Sequence, residues 1–80
     1  MSSIFRDFTY NIIMNKFCER LKELRKDLNL SQLQLANMIG TNNSSVCDWE
    51  HGRSQPDIET IIKLCKLFQT TADYLLGIED

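Results

Sequence analysis

The stretch SQLQLANMIGTNNSSVCDWEHG, residues 31–52, decides the fold. Ser31 and Gln34 stand three apart, the spacing of a capping box in which each side chain takes the other's backbone N–H and starts a helix. Leu35, Ala36 and Ile39 form the inner face of that helix. Gly40 gives the backbone the freedom a tight turn needs. Asn42 caps the next helix through its side-chain oxygen, which runs to about His51, where Gly52 closes it. Ala36 is small where two helices must approach closely, and Val46 and Trp49, three apart, point inward and clamp the second of these helices to the core.

Working outward, Phe17, Leu21, Leu24 and Leu28 repeat at i, i+4, i+7 and i+11 and stack on one face of a first helix. It ends near Leu28, because Asn29 suits a left-handed position. On the C-terminal side, Pro56 and Asp57 start a helix whose apolar face is Ile58, Ile61, Ile62, Cys65 and Phe68. Leu64 and Leu67 lie off that face and are expected to meet the last helix. Thr71 caps that short helix, which holds Tyr74, Leu75 and Leu76 and stops at Gly77. The expected fold is therefore all-α: five helices with short loops, compact over residues 15–80, preceded by an arm over residues 1–14. In the arm, Phe8, Tyr10 and Ile12 alternate like a strand, while Phe5, Phe8 and Ile12 also fit a helical extension. Periodicity does not decide; an extended arm that packs on its own core or on a second subunit is the working expectation.

Eighty residues allow one small domain, and 42% hydrophobic with 25% charged residues is ordinary globular composition. The formal net charge of −2 gives no general attraction to nucleic acid. The cations are local: Lys16, Arg20, Lys22, Arg25 and Lys26 lie in the first helix, with Arg6, Arg53, Lys63 and Lys66 elsewhere. Cys18, Cys47 and Cys65 have no CxxC spacing, and the start of the chain does not read as a secretory signal; free thiols in the cytoplasm are expected. No apolar run has the length of a membrane span. With one histidine, no nucleophile–base pair and no glycine-rich phosphate loop, the sequence does not read as an enzyme, and no cofactor is expected.

Residues 32–51 thus read as a helix-turn-helix, and the whole stretch from Phe17 to Gly77 resembles the Cro/cI-type repressor family. The resemblance rests on Arg25, Ser31, Gln32, Ala36, Gly40, Val46, Trp49, Glu50, Gly52, Pro56 and the closing DYLLG. It implies that the third helix enters the major groove of double-stranded DNA with its first residues at base edges. By that resemblance Asn43, Ser44 and Asp48 occupy base-contact positions, and Gln32 grips a phosphate. Helical geometry agrees in part: with Val46 inward, Ser44, Asp48 and His51 fall on the opposite side and Cys47 on the flank, at about 100° per residue. Arg53, and more weakly His51, are further phosphate candidates. Arg25 and Glu50 resemble a structural ion pair between the first and third helices.

Asp48 departs from the polar or basic residue usual in the family. It either accepts from cytosine N4 or rejects wrong sites, or else it is a solvated acid on a helix that binds DNA poorly. Cys47 and His51, four apart, have no further ligands nearby, so no metal site is expected. Leu33 reads as an isolated exposed leucine. The expected function is a sequence-specific DNA-binding repressor acting as a homodimer. The alternative is a protein-binding antitoxin or adaptor on the same scaffold, holding a protein partner through its N-terminal arm.

Overall fold

The computed structural model describes residues 16–78, and the expected arm over residues 1–14 lies outside them. Among the described residues there are five helices and no strand. Helix α1 covers residues 16–27 of the described chain, followed by α2 (Gln32–Ile39), α3 (Asn43–His51), α4 (Ile58–Phe68) and α5 (Ala72–Leu75).

Short polar side chains set the four later starts. Ser31, Asn42, Asp57 and Thr71 each accept the backbone N–H three residues on, from Gln34 at 3.0 Å, Ser45 at 2.8 Å, Thr60 at 2.9 Å and Tyr74 at 3.1 Å. Ser31 N–H also donates to Gln34 Oε1 at 2.7 Å, so the capping box is complete. Asp57 is exposed, and its hydrogen bonds to Thr60, first the side chain and then the backbone, hold its carboxyl below the usual carboxylate range. This is the expected balance for an acid accepting at a helix N-terminus.

All five helices end alike. In each, a backbone N–H just past the helix reaches back five residues: Leu30 to Arg25, Thr41 to Ala36, Arg53 to Asp48, Thr70 to Cys65 and Ile78 to Asp73, at 2.8–3.1 Å. The residue before each donor sits in the left-handed region: Asn29, Gly40, Gly52, Gln69 and Gly77. This is the Schellman arrangement. Gly77 is needed for space as well as for its φ of +79°, since a Cβ there would sit 2.5 Å from Lys16 Cβ. That close approach seats the end of α5 against the start of α1. Arg20 reinforces it by donating to the Tyr74 carbonyl and lying over the Tyr74 ring, 4.2 Å from its centre.

The core consists of Phe17 and Leu21 from α1, Leu35, Ala36 and Ile39 from α2, Val46 and Trp49 from α3, Leu64 from α4 and Leu75 from α5. Two expectations need correction. Leu28 is exposed, because α1 ends at residue 27 and Leu28 already lies in the turn that follows; Leu30 packs against the core instead. On α4, Ile58 is 78% and Ile62 48% exposed, whereas Leu64 is fully buried. Ile61, Cys65 and Phe68 of the expected face do pack against the core, but the helix is rotated so that Leu64 lies at its centre with Leu67 beside it, and Ile58 and Ile62 fall outside. Apolar residues nearly encircle α4, so two overlapping stripes fit the sequence. Packing of α4 against α2 and α5 selects the one centred on Leu64.

Candidate nucleic-acid interface

Helix α3 has a fully committed inner side. Val46, Trp49 and Glu50 are buried, the last an acid among core residues. Its carboxylate is satisfied on both oxygens: Oε2 accepts from Arg25 Nε at 2.6 Å, and Oε1 from Arg25 Nη2 at 3.0 Å and Gln32 Nε2 at 3.1 Å. Arg25 Nη1 in turn donates to the Leu30 carbonyl at 2.7 Å. A forked guanidinium–carboxylate contact fixes direction as well as distance. Through these bonds α1, the loop after it, and the first turn of α2 are all tied to the last turn of α3.

The expected Arg25–Glu50 pair is therefore in place. Gln32 is half-buried, and one of its amide hydrogens goes to Glu50, a tie the sequence reading missed. Eighteen residues separate the two, and nothing local in the sequence announces the contact. Cys18 was also missed as a tether: its thiol donates to the Trp49 carbonyl at 3.1 Å. Burial pushes the Cys18 thiol up in pKa, which keeps it protonated as that donor. Burial likewise raises the Cys65 thiol.

The other side of α3 faces outward as the helical geometry requires. Asn43 and Ser44 are exposed in its first turn, Cys47 and Asp48 are half-buried, and His51 is exposed in its last turn. His51 Nδ1 lies 2.8 Å from the Cys47 carbonyl oxygen and 3.5 Å from Cys47 Sγ, so the ring lies back along its own helix. Among the described residues no group of three or more His, Cys, Asp or Glu gathers at a possible metal site. Arg53 Nη1 donates to Asp48 Oδ1 at 3.3 Å, in the open. Asp48 and Arg53, one read as a base-edge acceptor and the other as a phosphate partner, thus meet each other. Leu33 is exposed on α2, as expected.

The geometry amounts to a helix locked from behind by a buried ion pair and presenting short polar side chains in front. The helix-turn-helix family pattern matches residues 21–75. The chain is 41% identical over 61 residues to the HTH-type transcriptional regulator AnsR of Bacillus subtilis, covering 76% of this chain and 53% of that protein. It is 36% identical over 58 residues to repressor protein C2 of Salmonella phage P22, covering 72% of this chain and 27% of that protein. The chain thus spans about half or less of the length of these curated relatives. The crystal structure of the P22 c2 repressor in complex with a synthetic operator superposes with a TM-score of 0.74 at 33% identity, covering 79% of this chain and 96% of that one. The restriction-modification controller protein C.AhdI of Aeromonas hydrophila superposes with a TM-score of 0.70 at 34% identity, covering 78% and 94%. The family pattern, the relatives and the shared helical architecture agree: the chain belongs to the Cro/cI-type helix-turn-helix family of transcriptional regulators.

Proposed function

We propose that this domain is a sequence-specific DNA-binding repressor that lays α3 in the major groove and acts as a homodimer. The observation that carries the reading is the two-sidedness of α3. Val46, Trp49 and the Arg25–Glu50–Gln32 network hold it from behind, while Asn43, Ser44 and Asp48 stand outward. Short side chains on a rigid helix lose little freedom when they meet base edges, and Asn43 is suited to two hydrogen bonds with adenine. Gln32 keeps a second amide hydrogen for a phosphate, and it stands in the first turn of α2, where free backbone N–H groups also attract an anion. Arg53 and His51 flank the same face and serve as further phosphate partners.

One such domain makes few contacts, so two copies on half-sites about 34 Å apart would supply affinity and specificity. The isoleucines left exposed on α4 and after α5, Ile58, Ile62 and Ile78, offer apolar surface for that pairing. The reading places the protein in the cytoplasm, where its three free cysteines stay reduced. No helix among the described residues is long and apolar enough to cross a membrane.

Selection from a random duplex library at low salt tests the reading. It expects an enriched palindrome whose affinity falls steeply as salt rises. On that duplex, Asn43→Ala loses more affinity than it does on random duplex. Equal loss on both would remove Asn43 as a base reader, and enrichment of no motif by folded protein would remove the reading itself.

A further inference from the structure

The exposed side of α3 carries its own ion pair, and both partners are residues assigned above to DNA contact. Arg53 is tied to Asp48 twice. Its backbone N–H donates to the Asp48 carbonyl at 2.9 Å, the bond that ends the helix and fixes where the Arg53 side chain begins. Its guanidinium then reaches the Asp48 carboxylate through one nitrogen and one oxygen at 3.3 Å, with the two side chains 64% and 40% exposed. A single contact of that length in the open is weak enough to exchange partners, unlike a fork.

We propose that the Asp48–Arg53 pair is a latch that sets sequence discrimination on the DNA face; the proposal rests on the DNA-binding reading above. On a duplex without the right base, the Asp48 carboxylate meets groove acceptors and neighbouring phosphates and keeps its hold on Arg53. The pair is then neutral as a unit, displaces no counterion, and Arg53 makes no phosphate contact. Where cytosine presents its N4 amino group, that donor takes the carboxylate. Adenine is a poorer match, because its N7 acceptor adjoins the amino group. A cytosine N4 donor on the carboxylate draws on the charge that holds Arg53, so the single 3.3 Å contact gives way to a phosphate, and the matched site gains a base contact and a backbone contact together. Asp48 is thus a specificity-determining residue that lowers binding to wrong sites by withholding a cation. This fits a chain whose net charge of −2 already gives it little general attraction to DNA.

Four proteins test the latch: the wild type, Asp48→Asn, Arg53→Gln and the double variant, each titrated by fluorescence anisotropy on the selected duplex and on random duplex. Both side chains are solvent-facing, and equal thermal midpoints confirm that all four are folded. Asp48→Asn should bind random duplex about fivefold tighter at 0.1 M salt, its log–log salt slope steeper by about 0.9, the mark of one added phosphate contact. It should also lose the preference for cytosine. In the double variant the gain on random duplex should vanish, because the freed cation is gone. A gain that persists with Gln at position 53 would mean that Asp48 acts by plain repulsion, and the latch falls. No gain in Asp48→Asn, in a protein whose wild type selects a motif, would also sink it while leaving the DNA-binding reading intact. A wild type that binds no duplex in a salt-dependent way removes both.

Discussion

Helix α3 carries two arginine–carboxylate pairs, and they differ in almost everything but their chemistry. In the inner pair, Arg25 and Glu50 are 12% and 0% exposed in their side chains and meet as a fork at 2.6 and 3.0 Å. In the outer pair, Arg53 and Asp48 are 64% and 40% exposed and meet at one point, 3.3 Å apart. Away from water, a charge that loses its partner keeps its desolvation penalty, so the inner pair is fixed once formed. In water a lone charge is well solvated, so the outer pair can open at little cost. The same two functional groups therefore serve as a structural clamp on one side of a helix and as an exchangeable contact on the other. What separates them is burial.

The largest effect expected from this contrast is on the inner side. Glu50→Ala strands the Arg25 guanidinium and one Gln32 amide hydrogen, and should cost about 3–5 kcal/mol in urea unfolding. Replacing both partners by apolar residues, Arg25→Met with Glu50→Leu, should cost much less, because no buried charge is left behind. A double variant as unstable as Glu50→Ala would show that the pair stabilises the fold beyond satisfying itself, and the contrast would need another basis than burial.

A second effect, somewhat smaller, checks how the core is arranged around that clamp. Leu64→Ala should cost about 2–4 kcal/mol, as a fully buried leucine does. Ile62→Ala, with its side chain near half exposed, should cost about 0.5 kcal/mol or less. The reverse order, read from the same denaturation curves, would restore the other apolar stripe of α4 as the inner one.

That helix also marks the limit of what the sequence displays. Starts and stops were legible wherever one residue does a local job: Ser31, Asn42, Asp57 and Thr71 as caps, and Asn29, Gly40, Gly52 and Gly77 at left-handed positions. Gln69 takes the same position at a φ of 54° without any compositional signal, since glutamine has no special freedom there. The rotation of α4 was hidden because periodicity ranks stripes by their own residues and contains nothing about α2 and α5, which select among them. At the site, the outward placement of Ser44, Asp48 and His51 followed from counting round a helix. The Gln32–Glu50 and Cys18–Trp49 ties did not, because they join residues far apart in sequence. The Asp48–Arg53 contact lies between. Five residues separate the pair, but it depends on the helix ending at Gly52 so that Arg53 folds back over its last turn.

The smallest effect expected is the one on which the outer pair's role depends. A double-mutant cycle on thermal or urea stability, using Asp48→Asn, Arg53→Gln and both together, should give a coupling of about 0.5–1 kcal/mol, enough for a several-fold hold on Arg53, and less at high salt. Each single variant should stay within about 1 kcal/mol of the wild type. Exchange of partners on DNA requires that this coupling stay small. A contact that stabilised the free domain strongly would have to be broken at equal cost when DNA arrived, and Arg53 would then gain nothing by moving to a phosphate. A measured coupling well above 1 kcal/mol, insensitive to salt, would therefore make the outer pair a second clamp and end its claim to exchange partners on DNA. A weak, salt-sensitive coupling, beside a several-fold change in random-duplex binding, would mean that the pair acts mainly when DNA is present, which is the behaviour its exposure allows and the burial of Arg25 and Glu50 forbids.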